Sequence, residues 1–405
     1  MRNLIFLFAI LAVTSLAHFK SPIDHNLRGP AKSIADYPDF PHFVKSMGYP
    51  CETHTINTED GYILTMFRIQ AKNQTTMKKD LPVVMLQHGF TDSGDTWVID
   101  DENDAPGLRL ANEGYDVWVG NSRGTKYCLS HVSLNSTDPL FWQFSWQNMS
   151  HYDLPSSFEY IHRETNQNIS YIGHSQGTTI MFAALSEREP SVVKYLNKFV
   201  ALAPVAWVQH IKSGPMWLMA HSTLANLLVS HGINQFLPAN FRESEMGHLF
   251  CAVFSSECAN FLKFLVGADP TYDNSKQFNL ILEHEPGGTS VMDAMHWRQQ
   301  VLSARFCKYD YGTDGNMLHY GQPSPPDYNV SNINVPVYLF LGKEDSLVDT
   351  RDTQMLLDNL KNSPHVQYKY YPAGHITYVW SKDISFYYQD LLDILDGKDG
   401  AKVEY

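Results

Sequence analysis

Short apolar runs alternate with amphipathic stretches through the first half of the chain, and then the alternation stops. Tyr62–Ile69, Val83–Gln87, Val117–Val119, Ile169–Ile172 and Phe199–Ala203 are β-branched or aromatic and short, as buried strands are. Gly107–Asn112, Leu154–Glu164 and Thr178–Glu187 carry helical spacing instead. From about Ala206 to Val330 the chain reads as helical and aromatic, with Met216-Trp217-Leu218-Met219 and Leu224–Val229 as its most apolar pieces. The strand rhythm resumes at Val335–Leu341 and Val366–Tyr371, and a last helix fits Ile384–Leu395. Strands alternating with helices predict an α/β fold with a mostly parallel central sheet flanked by helices. The interruption predicts an insertion: a core of 18–205 and 331–405, with a mainly helical segment over 206–330.

Composition narrows the class only a little. The 405 residues are 43% apolar and 18% charged, which suits a globular protein with a sizeable core. A net charge of −13 argues against nucleic acid as a partner, because phosphates would repel it. Met1-Arg2-Asn3, the apolar run Leu4–Val13 and the small residues up to Ala17 predict a signal peptide at 1–17. No run reaches the roughly 18 apolar residues of a transmembrane helix. The expected product is therefore soluble and in the secretory pathway, secreted or lysosomal, and monomeric. Secretory entry makes five Asn-x-Ser/Thr sequons legible as glycosylation sites, at Asn73, Asn135, Asn148, Asn168 and Asn329, of which Asn168 is the weakest because it leads into a strand. Five cysteines are an odd number. Cys251 and Cys258 are close enough to close a small disulfide loop, and a pair of buried free thiols is the equal alternative.

The chemistry centres on Gly173-His174-Ser175-Gln176-Gly177, a G-x-S-x-G set between a predicted strand and a predicted helix. That context is a sharp turn that lifts a serine hydroxyl above the sheet at a helix N-terminus. A serine needs a base to take its proton, and the base needs a third group to orient it. Both follow in order at the ends of later strands. Gly342-Lys343-Glu344-Asp345 succeeds one strand, and Pro372-Ala373-Gly374-His375 succeeds the next. Asp345 is the chosen acid. Asp349 is the runner-up and better placed to cap a helix starting near Thr350, while Glu344 is better placed in solvent. An oxyanion hole requires two backbone N–H donors, expected from Gln176 and from Phe90 in the His88-Gly89-Phe90 loop. Neither metal-ligand spacing nor a Gly-rich phosphate loop is present, so no metal or cofactor is expected.

These residues bring a family with them. The chain resembles the acid lipases of the α/β-hydrolase superfamily, the group of gastric and lysosomal acid lipases. The resemblance runs from about Ile34 to Leu395, through His88-Gly89-Phe90, Gly120-Asn121-Ser122-Arg123-Gly124, Tyr152-Asp153-Leu154-Pro155, Gly173–Thr179, His296-Trp297 and Tyr309-Asp310-Tyr311-Gly312. It implies Ser175 as nucleophile, Asp345 as acid, His375 as base and the amides of Phe90 and Gln176 as oxyanion hole. It implies that the insertion is a cap with a lid over an apolar acyl pocket, and that the substrate is a lipid ester met at a lipid–water interface. In such lipases a cap disulfide is common, but its second cysteine would fall near Val266 here, so Cys251–Cys258 is at best a shifted equivalent. A lipase of triacylglycerols or sterol esters is the leading expectation. The alternatives are an esterase of small soluble esters and a catalytically silent lipid-binding protein.

Overall fold

Alternate residues of each central strand are buried against opposite layers of helix, because successive side chains on a strand point to opposite faces. The computed structural model describes residues 39–239 apart from 73, 75 and 223, then 271–274, 281, and 284–398 apart from 361, 362 and 364. The expected signal peptide, Cys251, Cys258 and Asn73 lie outside the described residues. The strands before the insertion are β1 (Cys51–Asn57), β2 (Tyr62–Ile69), β3 (Val83–Gln87), β4 (Asp116–Gly120), β5 (Ser130–His131), β6 (Ile169–His174) and β7 (Leu196–Leu202). Within it, β8 (Gln235–Phe236) and β9 (Thr289–Ser290) form a separate ribbon; β10 (Val337–Gly342) and β11 (Val366–Tyr371) follow. The main sheet runs β1-β2-β4-β3-β6-β7-β10-β11, with β5 paired to β2. From β4 to β11 every pairing is parallel, whereas β1, β2 and β5 are antiparallel additions at one edge.

The α-helices of more than three residues before the insertion are α1 (Phe40–Ser46), α2 (Pro106–Asn112), α3 (Leu154–Thr165), α4 (Gln176–Glu187) and α5 (Pro190–Tyr195). The insertion contributes α6 (Gly214–His221), α7 (Leu224–Ser230), α8 (Val291–Ser303) and α9 (Gly312–Tyr320), and the chain ends with α10 (Thr350–Leu360) and α11 (Ser385–Leu395). Met85, Tyr171, Phe199 and Leu339 join Phe158 of α3 and Met181 and Leu185 of α4 in one core. Leu86, Ile172, Val200 and Phe340 join Leu108 of α2 and Tyr388 and Leu391 of α11 in the other. Each large side chain so buried contributes on the order of 1.5–3 kcal/mol.

The expected strands are present with most ends moved by no more than two residues, as at β4, which runs Asp116–Gly120 rather than Val117–Val119; β7 starts three residues earlier than expected, at Leu196 rather than Phe199. β1 was not anticipated. Its sequence, CETHTIN, alternates between polar positions because it is an edge strand with a half-exposed face. Cys51, Cys128 and Cys307 are free and buried. Burial pushes the first two thiols up to about 12 and the third to about 11, so none is a ready nucleophile. Asn135, Asn168 and Asn329 are exposed, while Asn148 is half-buried with its side-chain oxygen accepting the Ser145 N–H at 3.0 Å.

Candidate active site

Two glycines make the turn at Ser175 feasible. A Cβ on Gly173 would lie 2.7 Å from the Gly177 carbonyl, and one on Gly177 would lie 2.4 Å from the Gln87 carbonyl oxygen at the end of β3. Strand, turn and helix thus touch backbone to backbone. Ser175 itself has φ +52° and ψ −119°, a conformation that costs an L-residue on the order of 1–3 kcal/mol. Its N–H donates to the Leu202 carbonyl at 3.1 Å, which fixes the turn against β7. His174 and Gln176 are buried on either side, whereas Ser175 is half-buried and lines both clefts beside it.

The other two predicted groups converge on it. His375 Nε2 lies 2.7 Å from Ser175 Oγ, and His375 Nδ1 lies 2.8 Å from Asp345 Oδ2. Asp345 Oδ1 accepts the N–H groups of Leu347 at 2.8 Å and Val348 at 2.9 Å, so the carboxylate is held by backbone while its second oxygen faces the imidazole. His375 is 3% and Asp345 7% exposed, which keeps water out of the line of three. The two loops interlock: a Cβ on Gly342 would lie 2.5 Å from the Ala373 carbonyl oxygen, and the Glu344 N–H donates to that same oxygen at 3.1 Å. Glu344 is exposed. Asp349 accepts the Arg351 N–H at 2.9 Å at the start of α10 and pairs with Lys212.

Gln176 is the first residue of α4, where an amide has no acceptor within its own helix. Phe90 follows Gly89, whose added Cβ would lie 3.1 Å from Ser175 Cβ. Gln176 is thus bonded to Ser175, and Phe90 to a glycine in contact with it. His88 gives this loop its shape: Nδ1–H donates to the Gly89 carbonyl at 2.8 Å, and Nε2 accepts the Ser122 N–H at 3.0 Å. That pattern needs a neutral ring, and burial pushes His88 down to about 4. His174 is neutral for the same reason, pushed down to about 3 by burial and by His375, and it holds the His375 carbonyl at 2.8 Å. Sequence reading had used both histidines only as markers of their motifs.

Two clefts of about 860 Å³ each adjoin at this line. They share Phe90, Ser175, Met216, Met219, Phe236, Leu347 and His375. Ile376, Val379 and Trp380 line the first, and Val205, Val208 and Trp297 line the second. Their walls are mostly apolar; the charged side chains in them are a pair of carboxyls in the first cleft, Asp92 and Glu285, and Arg298 in the second. Burial pushes Asp92 up to about 7, and burial together with the facing Asp92 charge pushes Glu285 well above the carboxylate range. Ser93 Oγ donates to Glu285 at 2.6 Å. Beyond the pair, Asp95 meets Lys126 Nζ at 2.6 Å, His284 Nδ1 at 2.7 Å and the Tyr127 hydroxyl at 2.8 Å. Burial would raise Asp95, but the Lys126 charge and the interactions with His284 together outweigh it and leave it down at about 2. No spacing rule could have found this cluster, since it joins residues nearly 200 positions apart.

Among the described residues, His151, Glu187 and Glu189 place three ligand-type atoms within 4.8 Å of one another. Glu189 is already paired with His151 and Glu187 with Lys308, and none of the three lines either cleft. No helix of the described residues is long and apolar enough to cross a membrane.

Residues 40–101 match the model of a partial alpha/beta-hydrolase lipase region, and residues 82–382 match that of the alpha/beta hydrolase fold. The chain is 38% identical to gastric triacylglycerol lipase of Bos taurus over 348 residues, 84% of this chain and 86% of that protein. It is 35% identical to lipase member K of Mus musculus, covering 96% and 98% of the two chains, and 36% identical to lipase lipl-1 of Caenorhabditis elegans, covering 88% and 90%. Among solved structures it overlays a soluble variant of monoglyceride lipase from Saccharomyces cerevisiae with a TM-score of 0.52 at 14% identity, covering 85% of this chain and 95% of that one.

Proposed function

The chain belongs to the lipases of the α/β-hydrolase family, and from that premise we propose that it cleaves triacylglycerols or sterol esters through an acyl-enzyme formed on Ser175. As a lipase it is a carboxylic ester hydrolase. The observation that supports the assignment of roles is the unbroken line Ser175 Oγ, His375 Nε2, His375 Nδ1, Asp345 Oδ2 at the mouth of two apolar clefts. In this reading Ser175 attacks the ester carbonyl as its proton passes to His375, and Asp345 steadies the imidazolium. The carbonyl oxygen, now an anion, accepts the amides of Phe90 and Gln176. His375 returns the proton to the leaving alcohol, and then draws one from water to release the acid. Residues 206–330 act as the cap, which supplies Met216, Met219 and Phe236 to the acyl-binding wall.

The substrate preference follows from that wall: burying an acyl chain there is worth about 0.8 kcal/mol per methylene, a gain that a short polar ester cannot collect. We read 1–17 as a signal peptide, the product as secreted or lysosomal, and the exposed Asn135, Asn168 and Asn329 as glycosylation sites ahead of the half-buried Asn148. Rates on emulsified tributyrin and triolein should exceed those on soluble p-nitrophenyl acetate, and Ser175→Ala should remove both. Equal rates on soluble and emulsified esters would favour an esterase, and full activity in Ser175→Ala would overturn the mechanism.

A further inference from the structure

Gln176 carries one expected oxyanion amide, and its buried side chain is gripped from the cap. Trp297 of α8 donates its indole N–H to Gln176 Oε1 at 2.6 Å, while Gln176 Nε2 meets the Met149 sulfur at 3.5 Å. The same indole stands edge-on to the Phe90 ring, with centroids 6.4 Å apart at 69°. One side chain therefore touches both residues whose amides face the reacting carbonyl. Helix α8 is itself fixed. Ser290 at its cap donates to the Phe144 carbonyl at 2.5 Å, Asp293 accepts the Trp146 N–H at 2.7 Å, and His296 bonds Ser145 Oγ at 3.0 Å. Three hydrogen bonds thus carry the core loop 144–146 onto the helix that holds Trp297.

We propose that Trp297 is a positioning residue for the oxyanion hole, bonding Gln176 and bracing Phe90 so that both amides are aligned only while α8 is seated. The proposal rests on reading those two amides as the oxyanion hole. The physical ground is the narrow tolerance of such sites: donors must lie within a few tenths of an ångström of where the anion forms, in a dry setting where a hydrogen bond is strong. An indole N–H at 2.6 Å from the amide oxygen of the buried Gln176 side chain is a firm enough tether to set the first turn of α4.

The test uses Trp297→Phe, which keeps an aromatic ring against Phe90 and removes the donor, and Gln176→Met, which removes the acceptor. On saturating soluble p-nitrophenyl butyrate each variant should lose about tenfold in kcat with KM within about twofold, because the tether acts in the transition state. Affinity for a short-chain trifluoromethyl ketone should fall by the same factor. That ketone adds Ser175 Oγ at its carbonyl carbon, passes the hydroxyl proton to His375 and leaves its oxygen as the anion. The double variant should be no worse than about twofold below the poorer single, since both remove one interaction. Unchanged kcat and ketone affinity, a change in KM alone, or losses that multiply would overturn the clamp. If Trp297→Phe does not fold, Gln176→Met alone decides by the same signature. Failure of the reading beneath looks different: the wild-type protein would not bind the ketone, or Ser175→Ala would stay active.

Discussion

Below the cleft, Ser175, His375 and Asp345 are held by directional bonds of 2.7 and 2.8 Å and by glycines that let backbones touch. Above it, Met216, Met219 and Phe236 meet the same space with apolar surface, on α6 and β8. Helix α6 is apolar around its circumference, with Met216 and Met219 toward the clefts and Trp217 and Leu218 48% and 43% exposed. The lower wall is tuned to position and has little room for change. The upper wall is tuned to volume and greasiness, and a change there should alter which substrate enters rather than whether chemistry occurs.

The sharpest way to break this contrast is Asp345→Asn. The side chain keeps its size but no longer holds His375 in the needed tautomer, so kcat should fall by about 10⁴ at neutral pH on every ester, short or long. A loss confined to emulsified substrates would put Asp345 outside the chemistry. Met219→Ala attacks the other wall. Losing that apolar side chain should raise KM for a long-chain emulsion by roughly three- to tenfold and leave kcat on p-nitrophenyl acetate within about twofold. Equal losses on both substrates would erase the distinction between the walls.

The seam between the two regions should respond to pH, and more gently. Asp92 sits on the core loop and Glu285 on the insertion, and both are raised by burial. A carboxyl whose folded pKa lies above its unfolded value of about 4 gives stability that is present below pH 4 and is lost as pH climbs through the folded value, about 7 for Asp92. Neutral His88, His174 and His296 pull oppositely, losing their contribution as pH falls below about 6.5 toward 4 or 3, but they cancel when a variant is compared with the parent. Glu285→Gln stays neutral throughout. Its melting temperature relative to the parent should therefore rise by a few degrees between pH 4 and pH 8, and a difference independent of pH would show that the pair does not titrate.

How far the chain could be read from its residues follows the same division. The line Ser175, Asp345, His375 was legible because each sits just past a strand, and strands announce themselves locally through apolar runs and punctuating glycines. Phe90 and Gln176 could be named from position alone, because the role proposed for them belongs to the backbone. β1 was not, since an edge strand with a wet face carries no apolar alternation. Trp297 on Gln176 and Glu285 beside Asp92 were not either, because they depend on how the insertion settles on the core, and nothing local encodes that seat. Trp297 was visible as part of a family resemblance, but its partner was not.

β7 and β10 are neighbours in the sheet, yet all of 203–336 lies between them in the chain. On a ribosome adding about 5–20 residues per second, the apolar edge of β7 waits roughly 7–27 s for its partner. During that interval Phe199, Val200 and Leu202 belong to a half-built sheet, and a nascent chain in that condition invites chaperones or sticks to its neighbours. Ser175 is made 200 residues before His375, so the hydrogen bond between them cannot form until the last strands dock. Biogenesis, more than turnover, is where so long a detour in the sheet should be felt.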